Sequence, residues 1–334
     1  MTFSAFICGL AGPQLSDREA RLLAEARPCG VILFKRNCET PDQVRALTSA
    51  IRDAFGDSRY PILIDQEGGR VQRMGPPHWP ARPAAALLGA AGVAGVEAAY
   101  WSARLIAQDL LAAGVNVNCA PVLDIPAPGA HGVIGDRAYG EMARHVAAFG
   151  RAVAQGYLDG GVLPVIKHIP GHGRAGADSH FDLPVVETPF DELTDTDFEP
   201  FRALAHMPLA MTAHVLFSAI DATAPASASP TLIAEVIRGH IGFDGLLMCD
   251  DVSMQALSGS IAERTRAVLA AGCDAALHCN GDFDEMLAVA DAAGALSGAA
   301  LDRYLAALAR LQPPFPLDVK AAEARVAETL AGIA

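Results

Sequence analysis

A single (β/α)8 barrel, an α/β fold of the TIM type with extra C-terminal helices, is the architecture the sequence predicts. Three observations carry it. Eight short apolar runs alternate with helix-like segments from end to end. The runs are continuously apolar rather than alternating, as in strands buried on both faces of a parallel sheet. Titratable residues collect just beyond the C-terminal ends of successive runs, the face on which barrel enzymes carry their chemistry.

The candidate strands are Phe6–Leu10, Val31–Phe34, Ile62–Asp65, Val115–Val122, Leu163–Lys167, Ala210–His214, Leu246–Asp250 and Ala275–Cys279. Helices are expected between them. Ser16–Arg27 opens on a Ser cap with an acidic first turn, and Thr40-Pro41-Asp42-Gln43 reads as a capping box with Pro at the first helical position. Ala94–Ala113, Ala143–Leu158, Leu193–Ala205, Pro230–His240 and Ile261–Ala271 follow. The tail, 283–334, is Ala-rich and helical, interrupted at Pro313–Pro314 and Pro316. The Pro-rich stretch 75–83 reads as a loop rather than a boundary. The expected organisation is one catalytic barrel over 1–334, with 283–334 as a helical extension packed on it. A doubly wound open sheet is the alternative. No GxGxxG or GxxxxGK[ST] follows the first strand, which weakens any nucleotide-binding version of it.

Composition narrows the function. A chain of 334 residues, 51% of them hydrophobic, has enough for a large core, and a net charge of −13 argues against non-specific binding to nucleic acid or an anionic membrane. The seven cysteines are scattered and form no CxxC pair, so buried free thiols in a reducing compartment are expected. The opening MTFSAFICGLAG lacks a basic region and no apolar run approaches the ~18–20 residues of a transmembrane helix, which makes the cytoplasm the expected location.

The densest chemistry lies in KHIPGHGRAGADSHFD, Lys167–Asp182. Its lysine and first histidine end the fifth apolar run, and two more histidines follow on a glycine-rich loop. Strand three ends in Asp65-Gln66-Glu67-Gly68-Gly69-Arg70 with Arg73 behind. Strand four leads to Asp124 and then Gly135-Asp136-Arg137, strand six ends in His214, and strand seven in Asp250 and Asp251. Carboxylates accepting from hydroxyls, and Arg and Lys donating to them, suit a polyol. Each element also has a plainer reading. Asp250–Asp251 resembles a helix cap, and Gly68–Gly69 a simple turn. Arg137 resembles a surface charge bridged to Asp136. His214 resembles a satisfied buried histidine, and the loop histidines exposed ones. A zinc site on His168, His172, His180 and Asp178 is a further reading, but their spacing matches no standard zinc signature. Nothing in the sequence looks like a flavin, nicotinamide or phosphate cradle, so no cofactor and no resident metal are expected.

Four motifs in consistent order, ILIDQEGGRVQR, VIGDRAYG, KHIPGHGRAGADSHFDLPVV and GFDGLLMCDDVSM, closely resemble glycoside hydrolase family 3, within it the single-domain bacterial β-N-acetylglucosaminidases of cell-wall recycling. The likeness runs from about Gly30 to Asn280. It implies Asp250 as nucleophile, His180 as acid/base with Asp178 as its partner, and sugar binding by Asp65, Arg73, Arg137, Lys167 and His168. Ile169 stands where the family usually has an aromatic, Phe181-Asp182 replaces the more usual residues before Leu-Pro, and Cys249 stands where Ser is common. Larger members add a domain that supplies a catalytic Glu. After the eighth strand only about fifty residues remain here, which favours the histidine-loop branch. The implied substrate is a small muropeptide fragment bearing N-acetylglucosamine β-1,4-linked to anhydro-N-acetylmuramic acid, with no nucleic acid or membrane partner and a monomeric enzyme. The alternatives are a broader family 3 β-glycosidase, an N-acetylglucosaminide phosphorylase, a non-catalytic sugar-binding protein and a zinc hydrolase.

Overall fold

The computed structural model describes residues 2–179 and 182–333. Eight parallel strands close into a barrel: β1 (Ser4–Gly9), β2 (Pro28–Leu33), β3 (Ile62–Ile64), β4 (Val117–Asn118), β5 (Leu163–Ile169), β6 (Leu209–Thr212), β7 (Leu246–Asp251) and β8 (Ala275–His278). Each strand pairs with its sequence neighbours, and β8 closes on β1 through Phe6↔Ala276 and Cys8↔His278. The expected fold is therefore the observed one. Both faces of each strand are covered, one by the barrel interior and one by helices, so β2 is buried at all six positions and β5 at all seven. Burying each Leu, Ile or Val of this core contributes about 1.5–3 kcal/mol.

Local signals explain most boundaries. Helix Asp17–Ala26 starts at Ser16, whose hydroxyl accepts from the Glu19 amide while the Glu19 carboxylate accepts from the Ser16 amide. Helix Pro41–Phe55 carries only half of the expected capping box. Thr40 accepts from the Gln43 amide, but the Gln43 side chain accepts from Glu39, one residue short of the cap. Gly92–Ala112 and Ala143–Asp159 match expectation closely.

Two elements depart from the sequence reading. The run Val115–Val122 yields a strand of only two residues; beyond it Pro121 has no amide to donate, main-chain bonds to β5 continue at Ala120, Pro121 and Leu123, and side chains add to the pairing. Asn116 Oδ1 accepts from the Ile62 amide, and Asn118 exchanges two bonds with the Gln66 backbone. The expected helix Leu193–Ala205 is two short ones, Phe190–Asp195 and Glu199–Ala203. Between them Asp197 turns inward, where its carboxylate accepts from Arg174 Nε at 2.7 Å and from the Thr196 hydroxyl at 2.9 Å.

The tail forms helices Phe283–Ala293, Gly298–Ala309 and Val319–Ala331. The first packs on β8 and β1. The last lays Ala322 and Val326 on Leu105 of helix Gly92–Ala112, and buried Arg104 donates to the Phe315 carbonyl at 2.7 Å. No helix among the described residues is long and apolar enough to cross a membrane.

Candidate active site

The C-terminal ends of the strands surround a cavity of about 360 Å³. Of the eight residues singled out for catalysis or sugar binding, Asp65, Arg73, Arg137, Lys167, His168, Asp178 and Asp250 all line it. The eighth, His180, lies outside the described residues.

One wall is a chain of alternating charges. Lys167, 2% exposed at the end of β5, donates to Asp65 Oδ1 at 2.7 Å and contacts Glu67 Oε1 at 2.7 Å. Arg73 Nη2 donates to the other Asp65 oxygen at 3.0 Å. Arg137 grips Glu67 with two bonds, Nε to Oε2 at 2.9 Å and Nη2 to Oε1 at 2.8 Å. Burial opposes ionisation of Asp65 and Glu67, but Lys167 beside both outweighs it and holds each carboxyl below the usual range. Burial likewise works against the Lys167 ammonium, and the two carboxylates raise its pKa above normal.

The hairpin that carries this wall, Gln66–Gly68 paired with Val71–Gln72, was foreseen only as a turn. Its Gln66 side chain accepts from the Arg73 and Met74 amides and donates to the Met74 carbonyl, which fixes where Glu67 points. Gly68, at φ +101°, has no room for a side chain: a Cβ would sit 2.3 Å from the Pro83 carbonyl oxygen. Asp136, read as a partner for Arg137, instead accepts from Arg70 Nε at 2.6 Å.

A second group gathers at the exits of β4 and β5. Asp124, fully buried, accepts from His168 Nδ1 at 2.6 Å, from the His168 amide at 3.2 Å and from the His172 amide at 2.7 Å. The histidine bond directs the opposite edge of the His168 ring to the cavity. His172 is buried too, and burial, then His168, push its pKa down to about 4, so it is neutral at pH 7. Its Nε2 lies 3.2 Å from the Ser179 hydroxyl. The reading of the loop histidines as exposed therefore fails for these two. Gly173 lets the loop backbone lie directly on β4's exit, since a Cβ there would fall 1.9 Å from the Ile125 oxygen.

The neighbouring aspartates of β7 differ. Asp251 is occupied: its carboxylate accepts from the Ser253 amide and hydroxyl and from the Cys279 amide. Asp250 accepts only from the Asp251 amide, at 2.8 Å, among the described residues. Neither caps the next helix, which Ser260 starts. Burial of Asp250 favours its neutral acid, but His168 and His214 reverse this and hold the carboxyl below its ordinary value. His214 has both ring nitrogens engaged, with Ser227 Oγ at 2.6 Å and the Asp251 carbonyl at 3.0 Å, as the plainer reading held. Among the described residues no group of three or more His, Cys, Asp or Glu is placed to hold a metal ion.

The cavity thus offers a buried carboxylate, Asp250, together with the cationic side chains of Arg73, Arg137 and Lys167, groups that can grip hydroxyls and meet a developing positive charge. The comparisons with known proteins agree. A β-hexosaminidase of Methylococcus capsulatus is 42% identical over 275 residues, 81% of each chain. Another, from Alkalilimnicola ehrlichii, is 42% identical over 84% of this chain and 82% of its own length. Among solved structures, native NagZ from Neisseria gonorrhoeae superposes with a TM-score of 0.86 at 30% identity, covering 100% of this chain and 98% of that one. A glycoside hydrolase family 3 β-N-acetylglucosaminidase from Paenibacillus gives 0.87 at 33% identity, over 97% and 67%. The family model for the glycosyl hydrolase family 3 N-terminal domain matches residues 6–311. On that match and on this barrel, the chain is a glycoside hydrolase and belongs to glycosyl hydrolase family 3.

Proposed function

We propose that the protein is a retaining exo-β-N-acetylglucosaminidase that releases terminal β-linked N-acetylglucosamine from peptidoglycan fragments, the GlcNAc-1,4-anhydroMurNAc peptides. The observation that carries this reading is the contrast at the end of β7: Asp251 accepts three bonds, while Asp250, held below its ordinary pKa, accepts one among the described residues. A nucleophile needs that state. In the first step an Asp250 oxygen attacks the anomeric carbon and the glycosidic C–O bond breaks. His180, oriented by Asp178, gives its proton to the departing oxygen. In the second, His180 takes a proton from water, the water oxygen bonds to the anomeric carbon, and the ester to Asp250 breaks with net retention. An imidazole suits both steps because its ordinary pKa of ~6.5 makes acid and base forms accessible near neutral pH. Asp65, Arg73, Arg137, Lys167 and His168 would hold the sugar hydroxyls.

The names of the related β-hexosaminidases and of NagZ support the substrate class. The reading takes 1–334 as one catalytic unit with 283–334 as its extension, monomeric, cytoplasmic and independent of a cofactor or metal. Trapping with a fluorinated N-acetylglucosaminide, followed by peptide mapping, tests it. The sugar is expected on the peptide containing Asp250. A label on Asp251 or elsewhere, or turnover with inversion, would overturn it.

A further inference from the structure

We propose that Glu67 is a positioning residue for sugar binding: the shared counter-ion that keeps Lys167 and Arg137 side by side as donors to hydroxyls of the bound hexosamine. The inference rests on the glycosidase reading above and extends it to a residue that would not touch the sugar itself.

The argument starts from charge. Five ionised groups lie in a row, Arg73, Asp65, Lys167, Glu67 and Arg137, three cationic and two anionic. Asp65 is divided between Arg73 and Lys167, so among the described residues Glu67 is the carboxylate bonded to Arg137, and it also contacts Lys167. Lys167 and Arg137 are close enough to oppose one another's charge. Both side chains are largely buried, at 2% and 13% exposed, where like charges repel far more strongly than in water. Without a carboxylate between them they would not stay adjacent.

Donor counting follows. An ammonium has three N–H groups and a guanidinium five. Lys167 donates one to Asp65 and holds Glu67 at ion-pair distance, so at least one has no partner among the described residues. Arg137 uses three, two on Glu67 and one on the Val133 carbonyl at 3.4 Å, leaving two. Glu67 therefore helps to fix the direction of at least three cationic N–H groups that have no partner among the described residues. Its own carboxylate is consumed by the two cations, and the Gln66 clamp and crowded Gly68 hold its backbone. The geometry is that of a scaffold for donors rather than of a ligand.

The test is a cycle between protein and substrate. Wild type, Glu67→Gln and Glu67→Asp are assayed on an aryl β-N-acetylglucosaminide and on its 3-, 4- and 6-deoxy analogues. Removing a hydroxyl that a cation contacts should cost wild type about tenfold or more in kcat/KM. In Glu67→Gln, which lacks the charge, that cost should shrink at least fivefold for at least one analogue, with the parent substrate's KM raised. Such non-additivity reports coupling that a loss of stability alone does not produce. Glu67→Asp keeps the charge but cannot span both cations. It is expected to fall between the two, and it carries the test should the Gln variant fail to fold. Equal deoxygenation costs in wild type and whichever variants fold would overturn the role of Glu67 and leave the glycosidase reading standing. A wild-type protein inactive on the parent glycoside would overturn that reading first, and this inference with it.

Discussion

Two halves of one loop segment behave differently. From Lys167 to Gly173 every residue is buried, and backbone and side chains alike are tied to β4's exit through Asp124 and Ile125. From Arg174 onward the segment opens: Gly176 is exposed with no atom within 4 Å of a hypothetical Cβ, and Ala177 and Asp178 are half-buried. It then returns to the protein at Ser179, whose carbonyl accepts from the Ala256 amide at 3.3 Å. The first half presents groups expected to hold a sugar, which must not move. The second leads to the expected proton donor, His180, which lies outside the described residues. Adjacent stretches of one loop can thus differ in burial according to which of their atoms meet a neighbouring strand.

The largest expected effect lies where both halves converge. Asp250→Ala should reduce kcat on an aryl N-acetylglucosaminide by on the order of 10⁴–10⁶-fold, with Asp251→Asn retaining trapping by the fluorinated sugar if it folds. Activity near wild type in the first variant would remove the point of convergence. Next comes the open half. His180→Ala should slow substrates with poor leaving groups by about 10²–10⁴-fold and activated aryl ones much less. Equal losses on both would make His180 structural and erase the proposed division of labour.

Two glycines sharpen the comparison through stability. Gly173→Ala should cost about 1–3 kcal/mol in denaturant unfolding, because its methyl would drive into the Ile125 backbone. Gly176→Ala should change stability by less than about 0.5 kcal/mol. If the two cost the same, the halves are not distinct. The smallest effect concerns pH. Unfolded histidine binds its proton near pH 6.5, whereas folded His172, beside His168, Asp124 and Asp250, does so near 4. The unfolded chain then carries the extra proton between those values, so stability present above pH 6.5 is lost as pH falls towards 4. In His172→Gln the thermal midpoint should decline less steeply over that window, by up to about one proton's worth of slope. An unchanged slope would mean that His172 is not held neutral.

The barrel was legible because burial on both faces writes continuous apolar runs, and seven of the eight strands fall within a few residues of those runs. The fourth was overestimated because a proline interrupts the donors and two asparagine side chains add bonds to β3 and its exit, features that no apolar pattern records. The strand ends pointed to the cavity for the same reason the barrel was visible. Glu67 was visible at the end of strand three but received no role, because Gly68–Gly69 reads as a simple turn; the antiparallel hairpin that aims it depends on contacts with Asn118 and Pro83, outside the motif. Asp124 was visible as a strand end, but its three donors come from residues over forty positions away. His172 carried no local signal of burial, since it stands between two glycines in a polar loop and is buried by contacts with Asp124 and the exit of β4.

The segment beyond β4 also runs alongside the histidine loop, where the Ala127 amide donates to the Gly173 carbonyl and the His131 amide to the Ala175 carbonyl. Both contacts use main-chain atoms only. Support of that kind is indifferent to which amino acids supply it. Most letters of 127–131 are therefore free to change without disturbing the loop they prop up, provided 127 and 131 keep an amide and 129, at φ +80°, stays glycine.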